Sequence, residues 1–321
     1  MGAAGRVVVT RALPAGSLDP LVDAGHEVVG GEGDGEDRAL ARDELLRAVA
    51  GADALVCLLT DPIDRSVIEA GAGRLRVIAN VAVGYDNIDV DAARDAGIVV
   101  CNTPGVLDET TADLAFALIM AASRVTGDAE ADLRAGRWQG WNVNEYLGHD
   151  VHGATLGVVG WGRIGRAVAR RATGFGMGVL HNARRPTHDG GYVADLDDLV
   201  RAADIVTLHV PLTDESRHLI DARRLALMKP TAVLVNTSRG PVVDEEALAD
   251  ALHASRIFAA GLDVYEREPV VHPRLLSAPR TVLLPHVGSA TVATRTAMGR
   301  LAAESVVEVL AGRTPPTVVP V

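Results

Sequence analysis

Three polar residues of this 321-residue chain stand just beyond apolar runs, and their types suit proton transfer beside a bound anion. Arg239 follows such a run in Val235-Asn236-Thr237-Ser238-Arg239-Gly240. Glu268 closes Asp263-Val264-Tyr265-Glu266-Arg267-Glu268-Pro269, and His286 lies in Leu284-Pro285-His286-Val287-Gly288-Ser289-Ala290. A guanidinium grips a carboxylate through paired hydrogen bonds. An imidazole exchanges protons near neutral pH, and a carboxylate facing it orients the ring and stabilises imidazolium. Taken singly, each residue also reads as something plainer: a surface arginine, a solvated or helix-starting acid, a satisfied core histidine. Their arrangement at three strand ends of one unit is what favours the chemical reading.

A second group of residues reads as a phosphate cradle. In Gly157-Val158-Val159-Gly160-Trp161-Gly162-Arg163-Ile164-Gly165 a β-type run enters Gly160-x-Gly162-x-x-Gly165, and an amphipathic helix follows. Gly160 permits a tight turn, Gly162 lets the backbone approach a pyrophosphate, and Gly165 allows close helix–strand packing. The helix start adds N–H groups and partial positive charge. A bare glycine pattern is weak, but this strand-before, helix-after context is that of a dinucleotide site. An NAD site places Asp or Glu at the end of the next strand, against the ribose 2′-hydroxyl. Here that strand continues as Asn182-Ala183-Arg184-Arg185, with two guanidiniums and no carboxylate. Arginine suits a 2′-phosphate, so the expected cofactor is NADP(H), with NAD(H) open if both arginines are only solvated.

The elements that must position these groups follow a strand–helix alternation. Strands are expected over 6–10, 26–29, 54–59, 76–81 and 98–101, with helices such as 37–49 and 90–96 between them. A long helix over 108–123 interrupts the rhythm, and an irregular tryptophan-containing stretch spans 134–150. The alternation resumes over 154–159, 178–181, 205–208, 232–236, 258–262 and 281–284. The final helix, 292–311, has no strand of the second unit after it and is expected to return to the first. The predicted fold is α/β: two Rossmann/flavodoxin-like, doubly wound parallel-sheet domains with a cleft between them. Residues 1–101 plus 288–321 form the discontinuous, flavodoxin-like substrate domain, and 102–287 the dinucleotide-binding domain. Ligands of such sheets bind beyond the carboxyl ends of the strands, where the three polar residues fall.

Composition narrows the classes. A length of 321 residues favours two domains, and 48% apolar with 23% charged residues describes a packed chain. The net charge of −11 opposes nucleic-acid binding. All but one of the basic residues are arginine (the exception is Lys229), which reads as coding bias. Cys57 and Cys101 sit in apolar runs, as buried small hydrophobes do. No apolar run is long enough to span a bilayer, and no signal-peptide pattern opens the chain. Met1-Gly2 suggests myristoylation, but Arg6 stands where that signal wants Ser or Thr. The expected location is the cytoplasm. His149 and His152 lack the further ligands of a zinc site, so no metal is expected.

The ordered motifs together resemble the D-2-hydroxyacid dehydrogenase family. They are the glycine fingerprint, Asn236-Thr237-Ser238-Arg239-Gly240, the Asp263–Pro269 run and Pro285-His286-Val287-Gly288-Ser289-Ala290. Asn80-Val81-Ala82-Val83-Gly84-Tyr85-Asp86-Asn87-Ile88-Asp89 and Asn102-Thr103-Pro104-Gly105-Val106-Leu107 are similar to the glyoxylate/hydroxypyruvate reductase branch. The resemblance spans essentially the whole chain. It implies NAD(P)H-dependent reduction of a small 2-oxo acid, with Arg239 on the carboxylate and carbonyl, His286 as proton donor and Glu268 as its partner. It also implies that Trp161, Arg163 and Ile164 join the glycines at the cofactor, Thr237 and Ser238 line it, and His209-Val210-Pro211 lie near the adenosine half. Asp263 would contact the nicotinamide carboxamide, with Gly288 beside the cofactor. The N–H groups of Val83 and Gly84 would form a carboxylate clamp. Pocket size would depend on side chains such as Leu58, Leu59 and Thr60. Trp138 or Trp141 would reach a partner subunit, making a homodimer. Glu268 counts against a formate-oxidising relative. A phosphite enzyme, or a nucleotide-sensing corepressor of the same fold, remains a competing reading. The chain lacks the long low-complexity tails and basic patch that the corepressor reading would favour.

Overall fold

A computed structural model describes residues 4–31 and 38–320. The Met1-Gly2 motif and the expected helix start at 37 lie outside the described residues. The chain divides into two units, Met1–Leu107 with Ser289–Val321, and Asp108–Gly288.

In the first unit, strands β1 (Arg6–Val9), β2 (Glu27–Gly30), β3 (Ala54–Cys57), β4 (Val77–Asn80) and β5 (Val99–Cys101) form one sheet. Every pair is parallel and the order is β2-β1-β3-β4-β5. β3 and β4 are buried along their whole length. Parallel strands covered on both faces carry such continuous apolar runs, Ala-Leu-Val-Cys and Val-Ile-Ala-Asn here. Helices α1 (Asp19–Asp23), α2 (Arg42–Ala50), α3 (Arg65–Gly71) and α4 (Val90–Asp95) alternate with the strands. Asp64 and Asp89 cap the starts of α3 and α4 by accepting backbone N–H bonds. Cys57 and Cys101 are buried free thiols, and burial pushes the Cys57 thiol up.

The second unit opens on α5 (Asp108–Ser123) and α6 (Thr126–Arg134), of which α6 has no counterpart in the sequence expectation. Its sheet comprises β6 (Thr155–Val159), β7 (Gly178–Asn182), β8 (Ile205–Leu208), β9 (Val233–Asn236), β10 (Ala259–Leu262) and β11 (Thr281–Leu283). All are parallel, in the order β11-β10-β9-β8-β6-β7. Between them run α7 (Arg163–Thr173), α8 (Leu196–Ala202), α9 (Ala222–Leu227), α10 (Glu245–His253) and α11 (Pro273–Leu276). Successive strand residues serve opposite cores, as the pleat requires. Val158, Ile205, Val233 and Val235 pack with Ala115, Ile119 and Val168 of α5 and α7. Val159, Val206, Leu208 and Leu234 pack with Leu199, Leu225 and Leu248 of α8, α9 and α10.

The last helix, α12 (Val292–Leu310), belongs to the first unit and packs on β4 and α1. The boundaries differ from the sequence expectation of 101/102 and 287/288. Residues 102–107 stay with the first unit: Asn102 N–H donates to the Thr317 carbonyl and Thr103 N–H to the Ala82 carbonyl. Gly288 stays with the second, its Cα facing the Asp263 carboxylate and Thr111. Among the described residues, no helix is long and apolar enough to cross a membrane.

Candidate active site

β9, β10 and β11 are neighbours in one parallel sheet, with Leu262 opposite both Asn236 and Leu283. Their carboxyl ends therefore share one edge, and the loops leaving them carry Arg239, Glu268 and His286. Gly240 makes this possible. A Cβ there would lie 1.8 Å from the Tyr265 carbonyl carbon, so only glycine lets the Arg239 loop lie against the Glu268 loop. Asn236 shapes the first loop: its Nδ2 donates to the Arg239 carbonyl (2.9 Å), and its Oδ1 accepts from the Ser238 N–H (3.0 Å) and Oγ–H (2.8 Å). Half-buried Arg239 also donates to the Ser238 carbonyl at 2.9 Å.

The Glu268 carboxylate is held at both oxygens. Oε2 lies 2.7 Å from His286 Nδ1, and Oε1 accepts the Tyr265 N–H at 3.0 Å. Burial pushes the carboxyl up. The bond and charge of His286, the Tyr265 N–H and the nearby Arg239 charge outweigh burial and hold it below its ordinary value. With Nδ1 committed to Glu268, Nε2 is the ring atom left to exchange a proton with a ligand. His286 has left-handed backbone, φ +53°, a strained state for a side-chain-bearing residue. Asp263 holds it there: its carbonyl accepts the His286 N–H at 2.9 Å, and its buried carboxylate accepts the Val287 N–H at 2.7 Å. Burial pushes the Asp263 carboxyl up, partly offset by Val287, His286 and Gly288.

The glycine loop follows β6. Gly160 has φ +100° and donates its N–H to the Asn182 carbonyl at 3.0 Å, tying the loop to the end of β7. A Cβ on Gly165 would meet the Gly160 carbonyl oxygen at 2.1 Å, so helix and loop touch backbone to backbone. Helix α7 begins after Gly162 without any side-chain cap. Its first N–H groups have no intrahelical acceptor, and with the helix dipole they favour an anion. In the Arg239 loop, the Thr237 hydroxyl is buried with no hydrogen-bond partner among the described residues. An uncapped helix start and an orphaned hydroxyl on the carboxyl side of one sheet fit a bound dinucleotide. Arg163 sits 3.7 Å from Asp108, and Ile164 and Trp161 pack at the edge of the core shared by α5 and α7.

After β8, the His209 N–H donates to the Val159 carbonyl at 2.7 Å. Its half-buried ring lies 2.9 Å from the Thr207 hydroxyl, and desolvation pushes it down to about 3. Val210 packs on the core, and the Pro211 carbonyl accepts the Ser216 hydroxyl at 2.7 Å. Ala183 is half-buried at the end of β7, while Arg184 and Arg185 are exposed. Neither arginine makes a hydrogen bond or ion pair with the described residues.

In the first unit, Val83 and Gly84 follow β4 on a loop anchored through its carbonyls. Asn102 donates to the Val83 carbonyl and Asn80 to the Gly84 carbonyl, each at 2.8 Å. Asn80 also bonds Asn87, which donates to the carbonyls of Leu58 and Asp61, each at 3.0 Å. The N–H groups of Val83 and Gly84 take no partner among the described residues. Leu58 and Leu59 are half-buried and Thr60 is exposed, just beyond β3.

Several contributors were not singled out from sequence: Gly240, Tyr265 and the three asparagines. The Tyr265 hydroxyl donates to the Leu284 carbonyl at 2.9 Å, joining the ends of β10 and β11. Their only sequence signal is membership of the motifs that carry Arg239, Glu268 and Val83 and, for Asn102, of the motif that runs from it to Leu107. His149 stacks edge-on against Phe258 at 4.3 Å. Among the described residues no group of three His, Cys, Asp or Glu side chains is placed to hold a metal ion.

A parallel-sheet dinucleotide unit with an arginine and an imidazole–carboxylate pair at its strand ends defines a nicotinamide-dependent oxidoreductase of hydroxy and oxo acids. Residues 116–288 match the model of the D-isomer specific 2-hydroxyacid dehydrogenase NAD binding domain. The glyoxylate reductase of Thermococcus kodakarensis is 46% identical over 98% of this chain and 96% of its own. A crystal structure of a Thermus thermophilus protein superposes with TM-score 0.92 at 44% identity, covering 98% of this chain and 100% of that one. The NADPH-dependent glyoxylate/hydroxypyruvate reductase of Sinorhizobium meliloti, in complex with NADP and malonate, superposes with TM-score 0.80 at 35% identity. That match covers 94% of this chain and 92% of the other. The chain belongs to the D-isomer specific 2-hydroxyacid dehydrogenase family, in its glyoxylate reductase branch.

Proposed function

We propose that the protein reduces glyoxylate or hydroxypyruvate to the D-2-hydroxy acid with NADPH in preference to NADH. The observation that carries this reading is the 2.7 Å bond between His286 Nδ1 and Glu268, on the sheet edge that also carries Arg239. The Arg239 guanidinium pairs with the substrate carboxylate and polarises its ketone. A bound dihydronicotinamide supplies hydride to the carbonyl carbon. Protonated His286 gives its Nε2 proton to the carbonyl oxygen, while Glu268 stabilises the imidazolium until transfer. In the oxidative direction the neutral ring takes the proton back. Val83 and Gly84 present the anion-binding amides of the first unit, and the Asp263 carboxylate faces the nicotinamide carboxamide. Arg184 and Arg185 receive the 2′-phosphate.

A homodimer of cytoplasmic location completes the reading. Trp138 and Trp141 are 54% and 84% exposed, with Val143 and Leu147 also open to solvent nearby. Exposed apolar clusters of this kind mark association surfaces, and sedimentation of the purified protein at several concentrations tests the dimer. The activity is tested by following NADPH absorbance with glyoxylate, hydroxypyruvate, pyruvate and phenylpyruvate. The expected order places the first two highest. Phenylpyruvate reduced far faster than glyoxylate would overturn the substrate assignment. An inert protein with all four acids would overturn the reading as a whole.

A further inference from the structure

The loop between β7 and α8 is fastened to the glycine loop by side chains that the fingerprint does not require. His181, fully buried near the end of β7, stacks under the Trp161 indole with ring centroids 3.8 Å apart and planes 17° apart. Its Nε2 lies 2.6 Å from the Thr187 hydroxyl. Its backbone N–H reaches the Gly191 carbonyl, and its carbonyl accepts the Val193 N–H, each at 2.8 Å. Asn182 then donates to the carbonyls of Val193 (2.9 Å) and Ala194 (3.1 Å). The two ends of the loop are thereby closed on each other.

The middle of the loop is held by one carboxylate. Asp189 Oδ2 accepts the Trp161 Nε1–H at 2.5 Å and an Arg166 N–H at 2.6 Å. The Arg166 guanidinium carbon lies 5.2 Å from the Trp161 ring centroid, within cation–π range. Trp161 belongs to the glycine loop and Arg166 to the first turn of α7. The acid carried by the loop is thus bound to two donors, which together hold it below the ordinary carboxylate range. What the fastening leaves over is the segment 183–186, which starts beside Gly160 and presents Arg184 and Arg185. The neighbouring exposed acid, Glu215, is held low mainly by Thr213, with a smaller contribution from Arg184.

We propose that Trp161, Arg166 and Asp189 form a latch that sets coenzyme specificity. It fixes the β7–α8 loop so that Arg184 and Arg185 face the adenosine 2′-phosphate, and it keeps the Asp189 carboxylate away from that phosphate. These are positioning residues: they act through the two arginines. The inference rests on the NADPH reading above, and it adds that specificity depends on residues which need not touch the phosphate. An untethered loop would place the same guanidiniums over many conformations, and ordering them on binding would cost affinity.

The test compares kcat/KM for NADPH and NADH, at saturating glyoxylate, in four full-length proteins. They are the wild type, Trp161→Phe, Asp189→Asn, and the double variant Arg184→Ala/Arg185→Ala. Phe keeps the stacked ring and removes the N–H; Asn keeps the size and removes the charge that grips Arg166. The double variant examines the reading itself. It is expected to lower the NADPH/NADH ratio by about tenfold or more, since charge-assisted bonds to phosphate are lost. The two latch variants are expected to lower that ratio by about fivefold through the KM for NADPH; Asp189→Asn, at a residue outside the cofactor-lining set, is expected to retain kcat and the KM for glyoxylate. If the double variant shifts the ratio and neither latch variant does, the latch is refuted and the reading stands. If Asp189→Asn raises the ratio, the carboxylate was repelling the phosphate and the proposal is overturned. Equal losses with both coenzymes would show a merely structural role and refute it too. A wild type that prefers NADH, or a double variant with an unchanged ratio, removes the reading and the latch with it.

Discussion

The loop after β4 and the loops after β9, β10 and β11 are held in place by opposite means. In the first unit the loop that carries Val83 and Gly84 is held by neutral side chains. Asn102 donates to the Val83 carbonyl and Asn80 to the Gly84 carbonyl, while Asn87 accepts from Asn80 and ties it to the Leu58 and Asp61 carbonyls. In the second unit the acting groups are charged side chains, and they are oriented by backbone groups and by carboxylates. Tyr265 N–H holds Glu268, and Asp263 holds the strained His286 backbone. A neutral amide network fixes geometry without competing for the ligand's charge. A proton donor needs a fixed anion behind it, which a neutral network cannot supply. On the proposed function, recognition and chemistry would fall to differently built loops.

Removing the proton donor should separate the two kinds of loop most strongly. His286→Ala is expected to lower kcat by about 10²–10⁴-fold, while binding of oxalate, an unreactive dicarboxylate, to the protein–NADP⁺ complex changes little. An undiminished kcat would end the account of the second unit.

Gly240→Ala attacks the contact between two of the charged loops. The added methyl would overlap Tyr265 backbone, so one loop must shift. A stability loss of about 1–3 kcal/mol is expected from thermal unfolding, together with a fall in kcat. A variant of wild-type Tm and activity would show that the loops do not depend on this close approach.

Glu268→Gln keeps shape and loses charge. The reductive kcat at neutral pH should fall by about 10–100-fold, and the acid limb of the kcat–pH profile that the carboxyl contributes should be lost. In the wild type that limb belongs to the carboxyl. Its folded value is depressed, so its ionic contribution is full above the ordinary carboxylate value and is lost only as pH falls through the lowered one. A neutral-pH kcat equal to the wild type's, or an unchanged acid limb, in the variant would mean that Glu268 is not the partner governing proton donation.

The smallest effect is expected on the neutral side. Asn102→Ala frees the Val83 carbonyl and loosens the amide clamp. The KM for glyoxylate should rise by about tenfold, as loss of one ordered hydrogen bond implies, with the KM for NADPH unchanged. Equal changes in both constants would place Asn102 in general stability and erase the distinction between the two regions.

Much of this was open to a reader of the residues alone, because the signals are local. Apolar runs at strand length, the helix over 108–123 and the glycines before α7 each declare themselves within about twenty positions. Arg239, Glu268 and His286 could be named because each follows a strand, and parallel order sends all three to one edge. What the residues did not disclose depends on pairs far apart in the chain. Asn102 binds Val83 and Thr317, which holds 102–107 in the first unit; Gly240 yields to Tyr265; Asp189 meets Trp161 across 28 positions. Helix α6, with no buried residue, leaves no apolar stripe to read.

The order of residues sets the periodicities, and therefore the elements, their alternation and the chemical types available at the strand ends. Which backbone groups are already occupied, and which carboxylate faces which donor, follows from the folding of the chain in space. Hydrogen bonds act over about 3 Å, and whether distant residues come that close is settled by how strands order in the sheets, not by their spacing along the chain.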